Sequence, residues 1–384
     1  MNNIFCSAPF VHLHIDKNGD VLPCCGAQDR VNTLFGNINN NSIQEIYNGE
    51  AINNFRQKLL NGIHSKACEG CYQVESNGGD SYRKWFNNTY PVKEEQVEIK
   101  YIDIRFSNFC NFKCRMCDGE SSSSIKNEYL KLNNITNQKG IIELDKLKVF
   151  DFLNEHINTI DKIYFAGGEP LIMEEHYELL HMLLSNNKTD ITLSYNTNLS
   201  TLIYKDQSII DLWNNFKKVE LYASLDGIFE IGEYIRDGLN YEKFESNIFN
   251  VNENCKSVIT SVNICVNLFN IFHLFKMLPY VYSKGIINPF NFTMNILTTP
   301  YYQSITVLPI ELKTLWVDYL ENFKIKHNDP GYNKIISELD VIKNHMLSKD
   351  DSEHLEQFNY NVKKYDLIRN KDFFKLYDNL QPIV

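Results

Sequence analysis

Three cysteines, Cys110, Cys114 and Cys117, share one short loop in the run Ile-Arg-Phe-Ser-Asn-Phe-Cys-Asn-Phe-Lys-Cys-Arg-Met-Cys, just past a strand-like segment. Thiolates packed this closely can converge on a single metal centre. If that centre is a four-iron cluster, three protein ligands leave one iron without a partner. An iron with an open position does chemistry, much as a catalytic zinc keeps a free site while a structural zinc is closed.

Downstream, Lys162 to Ala166 reads as a buried strand and runs into Gly167-Gly168-Glu169-Pro170. Two adjacent glycines allow a close backbone approach that a side chain would block. Alone the tetrapeptide is ordinary turn material. Together the two motifs resemble the radical S-adenosylmethionine (radical SAM) superfamily, whose signature is the Cys-x3-Cys-x2-Cys spacing. The resemblance implies that Cys110, Cys114 and Cys117 carry a [4Fe-4S] cluster whose open iron chelates the amino and carboxylate groups of SAM. It also implies that Gly167, Gly168, Glu169 and Pro170 contact the methionine part, with Glu169 accepting from the amino group.

The chain of 384 residues is long enough for a large core and two or more structural units. It has no run of eighteen apolar residues and no export signal at Met-Asn-Asn-Ile-Phe-Cys, so a cytoplasmic protein without a membrane partner is expected. Ten cysteines in that setting argue for reduced thiols or metal ligands rather than disulfides. A formal charge of −10 argues against a broad nucleic-acid footprint.

From about Val97 strands alternate with helices, the pattern of parallel βα units. Strands are expected at residues 99–106, 162–166, 191–196, 219–225, 258–266 and 290–297, and a helix at 174–184. Ligands of such folds bind at the carboxyl ends of strands. Both motifs follow strands, so both belong on that face. The family's core is a partial (β/α)6 TIM-like barrel, and the resemblance covers roughly residues 97–300. Beyond it, residues 301–384 form a helical, charged extension, with helices at 311–323 and 333–347, expected to cap the barrel.

Residues 1–92 hold a second cysteine group: Cys6, the pair Cys24-Cys25, and Cys68-x2-Cys71. Asn18-Gly19 signals a hairpin that brings Cys6 near Cys24, and a helix over residues 43–60 returns the chain toward Cys68. The group resembles the auxiliary-cluster domains called SPASM and, in shortened form, twitch, although those usually follow the barrel. With cysteines for one extra site, twitch is the closer match. The resemblance implies a second [4Fe-4S] cluster on Cys6, Cys24, Cys68 and Cys71. Cys25 is the alternative to Cys24, since adjacent residues of an extended segment point opposite ways. A four-cysteine set ending in Cys-x2-Cys is also a zinc pattern.

Further positions resemble the family's SAM-site residues. Met116 stands where an apolar side chain lies near the adenine. Asn196 and Asn198 match a Thr-Asn-Gly at the third strand end, with Leu199 in place of glycine and hence a less tight loop. Ser224 and Asp226 match ribose-side positions, and Arg236 a basic residue that pairs with a carboxylate. Each also has a plainer structural reading, and His12 and His14 read as structural or solvated. The resemblance implies reductive cleavage of SAM to a 5′-deoxyadenosyl radical, which abstracts hydrogen from a peptide, protein or small-molecule substrate. Flavodoxin or ferredoxin would donate the electron, and an auxiliary cluster suits a net oxidation. The alternative is a non-catalytic iron-sulfur or zinc-binding scaffold.

Overall fold

A computed structural model describes residues 3–76, 78–92 and 97–377. The outermost residues of the expected first and last segments, 1–2 and 378–384, lie outside it. The chain forms two compact units. One runs up to Asn111 and adds Gly119–Asn196 and Ile203–Glu220; the other takes Phe112–Asp118, Thr197–Leu202 and the chain from Leu221 onward.

In the first unit the strands lie side by side in the order Gly36–Asn37, Asp20–Leu22, His12–Ile15, Tyr101–Ile104, Lys162–Phe165 and Thr192–Thr197. The Asn18-Gly19 turn makes the expected antiparallel hairpin, with His14 opposite Leu22 and Gly19 at φ +85°. The hairpin's first strand is also a parallel neighbour of Tyr101–Ile104, pairing His12 with Tyr101 and Ile15 with Ile104. Strand alternation explains the fit. Leu13, Ile102, Ile163 and Leu193 share a register row and are all fully buried. The row between them carries His14, Asp103, Tyr164 and Ser194.

Helices Lys146–His156 and Glu174–Ser185 precede and follow the strand Lys162–Phe165, as crossovers should. The helix expected over residues 43–60 is two helices, Ile43–Tyr47 and Glu50–Leu60. Gly49 separates them in an extended conformation, and a Cβ there would stand 2.8 Å from the Glu45 carbonyl oxygen. The first helix opens on a capping box between Ser42 and Glu45.

The second unit orders Val219–Ser224, which begins in the first unit, beside Val258–Val266 and then Phe292–Ile296. The last two are parallel, with Val262 opposite Phe292 and Val266 opposite Ile296. The six expected strands are thus all present, shifted at their ends by a residue or two. The tail helices are Ile310–Lys326 and Asn333–Leu347, followed by Leu355–Arg369, which the sequence pattern did not single out. Among the described residues no helix is long and apolar enough to cross a membrane.

Candidate functional site

In the first unit, Cys110 sits where the chain leaves the strand Tyr101–Ile104. Its N–H donates to Ser123 Oγ at 3.2 Å, and its carbonyl accepts from Ser124 Oγ at 2.6 Å. Both serines open the helix Ser123–Leu132. The fully buried Asn108 spans the loop base, donating to the carbonyls of Gly119 and Gly140 and accepting from Ile142 N–H.

The Gly167-Gly168-Glu169-Pro170 loop follows the strand Lys162–Phe165. Gly168 has φ +56°, and a Cβ on it would meet the Phe109 carbonyl oxygen at 2.2 Å and Met173 Cε at 2.6 Å. Gly167 has φ +77°, with Arg105 Cβ 3.0 Å from the place of its missing side chain. This backbone takes glycine because nothing larger fits. Glu169 N–H donates to the Phe109 carbonyl at 2.8 Å, which ties the loop to the residue before Cys110. The Glu169 carboxylate, 1% exposed, accepts from Leu171 N–H at 3.1 Å. Pro170 starts the 3-10 turn Pro170–Ile172.

The second unit holds Cys114, Met116 and Cys117 on one turn, closed by Cys117 N–H to the Cys114 carbonyl at 3.1 Å. Cys114 is buried, Met116 half-buried and Cys117 exposed. Cys114 pairs with Arg236 in a two-residue antiparallel ladder, and the Arg236 guanidinium stands 3.9 Å from its Sγ. A hydrogen bond from Cys117, with the charges of Arg236 and Arg369, holds the Cys114 thiol below its ordinary value against the opposing effect of burial. Arg236 also forms a 2.7 Å ion pair with Asp226, which accepts from Cys265 N–H at 2.7 Å through its other oxygen. Ser224, half-buried, ends its strand just before Asp226.

Asn196 lies in the strand Thr192–Thr197, and Asn198 just beyond it accepts from Ser200 N–H at 2.9 Å. Leu199 does not loosen this turn. It adopts φ +52°, the left-handed conformation a glycine would take, and is fully buried. Asn247, donating to its carbonyl at 2.8 Å, and Thr197 Oγ1, accepting from its N–H at 2.9 Å, hold the strained residue in place.

The N-terminal cysteines gather in the first unit. Burial, helped by negative charge on Cys68 and Cys71, pushes the Cys6 thiol up to about 12. Cys24 is raised by burial and by Cys25, Cys6 and Cys71; Cys68 reaches about 11 through burial and Cys71. Cys6, which is buried, and Cys24, Cys68 and Cys71, which are half-buried, therefore lie within electrostatic reach of one another, where thiolates are costly without a cation. Cys25 instead lies beside the Asp103 carboxylate and the Arg105 guanidinium. Among the described residues no three His, Cys, Asp or Glu side chains close on the position of a single metal ion.

Residues 104–271 match the family model described as the radical SAM superfamily, and residues 6–72 match SPASM, an iron-sulfur cluster-binding domain. The chain carries a radical SAM domain behind a SPASM domain. The radical SAM model implies a [4Fe-4S] cluster and SAM, the SPASM model implies auxiliary iron-sulfur, and the α/β elements with their parallel strands agree with the partial TIM-like barrel of radical SAM proteins. Cysteine thiols are the donors that iron-sulfur takes, and the glycine cradle leaves room for a close backbone approach.

No curated protein matches the chain. Among solved structures, native anSMEcpe with bound AdoMet and Cp18Cys peptide is 23% identical, covering 58% of this chain and 60% of that one, at a TM-score of 0.38. Streptococcus suis SuiB bound to precursor peptide SuiA is 13% identical over 84% of this chain and 70% of that one, at 0.40. Kitasatospora setae TsrM, a radical SAM methyltransferase with tryptophan and aza-SAM bound, is 12% identical over 51% and 36%, at 0.35. The chain thus spans about 60% of the length of anSMEcpe.

Several supports of the radical SAM and SPASM motifs escaped the sequence reading. Asn87 and Arg83 hold the backbone on either side of Cys6, and Asp366 and Arg369 hold the residues on either side of Cys114. None has a local signal, since each acts on a loop distant in sequence.

Proposed function

We propose that this protein is a radical SAM enzyme that cleaves SAM reductively and removes hydrogen from an unactivated carbon of a peptide, protein or small-molecule substrate, for a net oxidation. The observation that carries the reading is the coincidence of an intact Cys-x3-Cys-x2-Cys loop with a Gly-Gly-Glu-Pro turn whose backbone has no room for a Cβ at Gly168. Cys110, Cys114 and Cys117 would hold the catalytic [4Fe-4S] cluster. Cys6, Cys24, Cys68 and Cys71 would hold the auxiliary one, with Cys24 favoured over Cys25 because it is Cys24 that senses the other thiols. Bound together, the cluster and SAM supply one-electron cleavage of a carbon-sulfur bond and the hydrogen-abstracting 5′-deoxyadenosyl group, chemistry no side chain provides.

The chain's own residues bind and orient. Gly167 and Gly168 let the backbone approach the methionine part, and Glu169 offers an acceptor to its amino group. Met116, Asn196, Ser224 and Asp226 would line the rest of the SAM site, while Arg236 balances the charge of Cys114. The working division is an auxiliary domain over 1–92, the core over 97–300 and the extension over 301–384. Flavodoxin or ferredoxin as donor and a cytoplasmic setting complete the proposal. An anaerobic assay for 5′-deoxyadenosine with SAM and a strong reductant tests it. Wild type should form the product and Cys114→Ala should not; equal yields would remove the loop's assigned role.

A further inference from the structure

The residues flanking Cys114 are held from the far end of the chain. Arg115, 7% exposed, places its guanidinium 2.6 Å from Asp366 Oδ1 and 4.1 Å from the centre of the Tyr234 ring. Asp366, on the helix Leu355–Arg369, is fully engaged. Its Oδ1 also accepts from Tyr234 Oη at 2.8 Å, and its Oδ2 accepts from Phe373 N–H at 2.7 Å. One turn further along that helix, Arg369 donates to the Lys113 carbonyl at 2.8 Å and faces Asp237 Oδ2 at 3.6 Å, where Lys113 Nζ arrives at 3.2 Å. Gln303 Nε2 donates to the Arg115 carbonyl at 2.8 Å from the same extension.

A cap that merely shields apolar surface needs none of these bonds. They grip the backbone before Cys114 and the side chain after it, the two places that fix where its sulfur points. A buried ion pair is costly to assemble and brittle when one partner is lost, so it defines a geometry better than it stabilises one. Groups behind a metal ligand orient it and tune the centre. Through the Lys113 carbonyl, Arg369 brings its guanidinium to the residue directly before Cys114.

We propose that Asp366 and Arg369 are positioning residues for the catalytic cluster: the C-terminal helix locks the Cys114–Cys117 turn and sets the charge beside it. The inference deepens the proposed function and rests on it for the identity of the cluster.

The test uses the full chain, reconstituted anaerobically, as wild type, Asp366→Asn, Arg369→Gln and Arg369→Lys. In Arg369→Gln the loss of a cation should move the one-electron reduction of the SAM-responsive cluster about tenfold toward the oxidised form, about 59 mV by redox titration with electron paramagnetic resonance. Arg369→Lys should recover most of that shift. In Asp366→Asn the SAM-responsive signal should be lost to a chelator roughly tenfold faster, while the auxiliary signal persists and reports that the chain is folded. An iron-free readout stands apart from the proposed function: alkylation of apo Cys114, which is 6% exposed, should be roughly tenfold faster in Asp366→Asn, with exposed Cys117 unchanged. Alkylation rates, chelator lifetimes and midpoints all within twofold of wild type would overturn the inference. So would equal loss of both clusters, which would mark a general folding defect. Wild-type iron that ignores SAM would overturn the proposed function instead, leaving the alkylation result to judge the lock.

Discussion

Asp103 shows how much one buried carboxylate can carry. It is wholly buried, 2.9 Å from His14 Nδ1 and 3.6 Å from Arg105 Nε. Burial alone would raise its pKa, but the charges of Arg105 and His14 win and hold the carboxyl well below the usual carboxylate range. A depressed folded value means the unfolded chain takes up the proton first, so this stabilisation is present above the ordinary carboxylate pKa of about 3.9 and lost as pH falls below it. Asp103→Asn should therefore lower stability by about 1–3 kcal/mol at neutral pH, because it takes the carboxylate away from the half-buried Arg105 guanidinium and from His14 Nδ1. Urea midpoints measured from pH 7 downward should also converge with wild type in acid. His12, held to about 3 by burial, starts to destabilise the fold earlier in the descent, as pH falls below about 6.5, and should do so in both proteins. Gly168 makes a different demand. Gly168→Ala puts a Cβ 2.2 Å from the Phe109 carbonyl oxygen in a left-handed backbone. The loop must move off the Glu169–Phe109 bond, so affinity for SAM should fall at least tenfold, about 1.4 kcal/mol, by equilibrium dialysis; unchanged binding would show that the close approach is not used.

At the scale of elements, the helix Tyr82–Thr89 is to Cys6 what the C-terminal helix is to Cys114. Asn87 accepts from Ser7 N–H at 2.8 Å and donates to the Phe5 carbonyl at 3.0 Å, bracketing the cysteine, and Arg83 donates to the same carbonyl at 2.7 Å. Replacing Asn87 with Leu removes both bonds; the Phe5 carbonyl keeps Arg83, but the Ser7 N–H loses its Asn87 acceptor, at about 1–3 kcal/mol. Auxiliary iron should fall while the SAM-responsive cluster stays; iron and sulfide counts beside 5′-deoxyadenosine yield separate the two. The sequence made the elements themselves readable wherever a period was strong. The six strands were visible as apolar runs ending in turn residues, and Asn333–Leu347 as an amphipathic stripe. Leu355–Arg369 was not, because its inward positions include Asp366, whose partners lie some 250 residues upstream and on neighbouring elements. For the same reason His12 and His14 looked ordinary until the parallel pairing with Tyr101–Ile104 set His14 opposite Asp103.

For the molecule as a whole, the two thiol groups differ in the charge that surrounds them. Cys114 has the Arg236 guanidinium 3.9 Å from its Sγ and a lowered pKa. Cys6, Cys24 and Cys68 are raised by burial and by neighbouring thiols, with the Arg83 guanidinium opposing the rise at Cys6 and Cys68. Cys24 and Cys25 are adjacent, but Cys24 senses Cys6 and Cys71 while Cys25 senses Asp103 and Arg105, which favours Cys24 as the proposed ligand. Wild type reconstituted without oxygen should hold about eight irons, four for each cluster. Cys24→Ala should drop to about four and keep the SAM-responsive signal. Cys25→Ala should retain about eight, because its thiol faces Asp103 and Arg105 rather than the other cysteines. If instead Cys25→Ala loses four irons and Cys24→Ala loses none, the segment presents its other side chain to the cluster, and the Asp103 cluster of charges borders the auxiliary centre directly. Zinc in place of iron at this position, with the catalytic cluster intact, would make the N-terminal set a structural clamp and leave the substrate electron without the acceptor that a net oxidation requires.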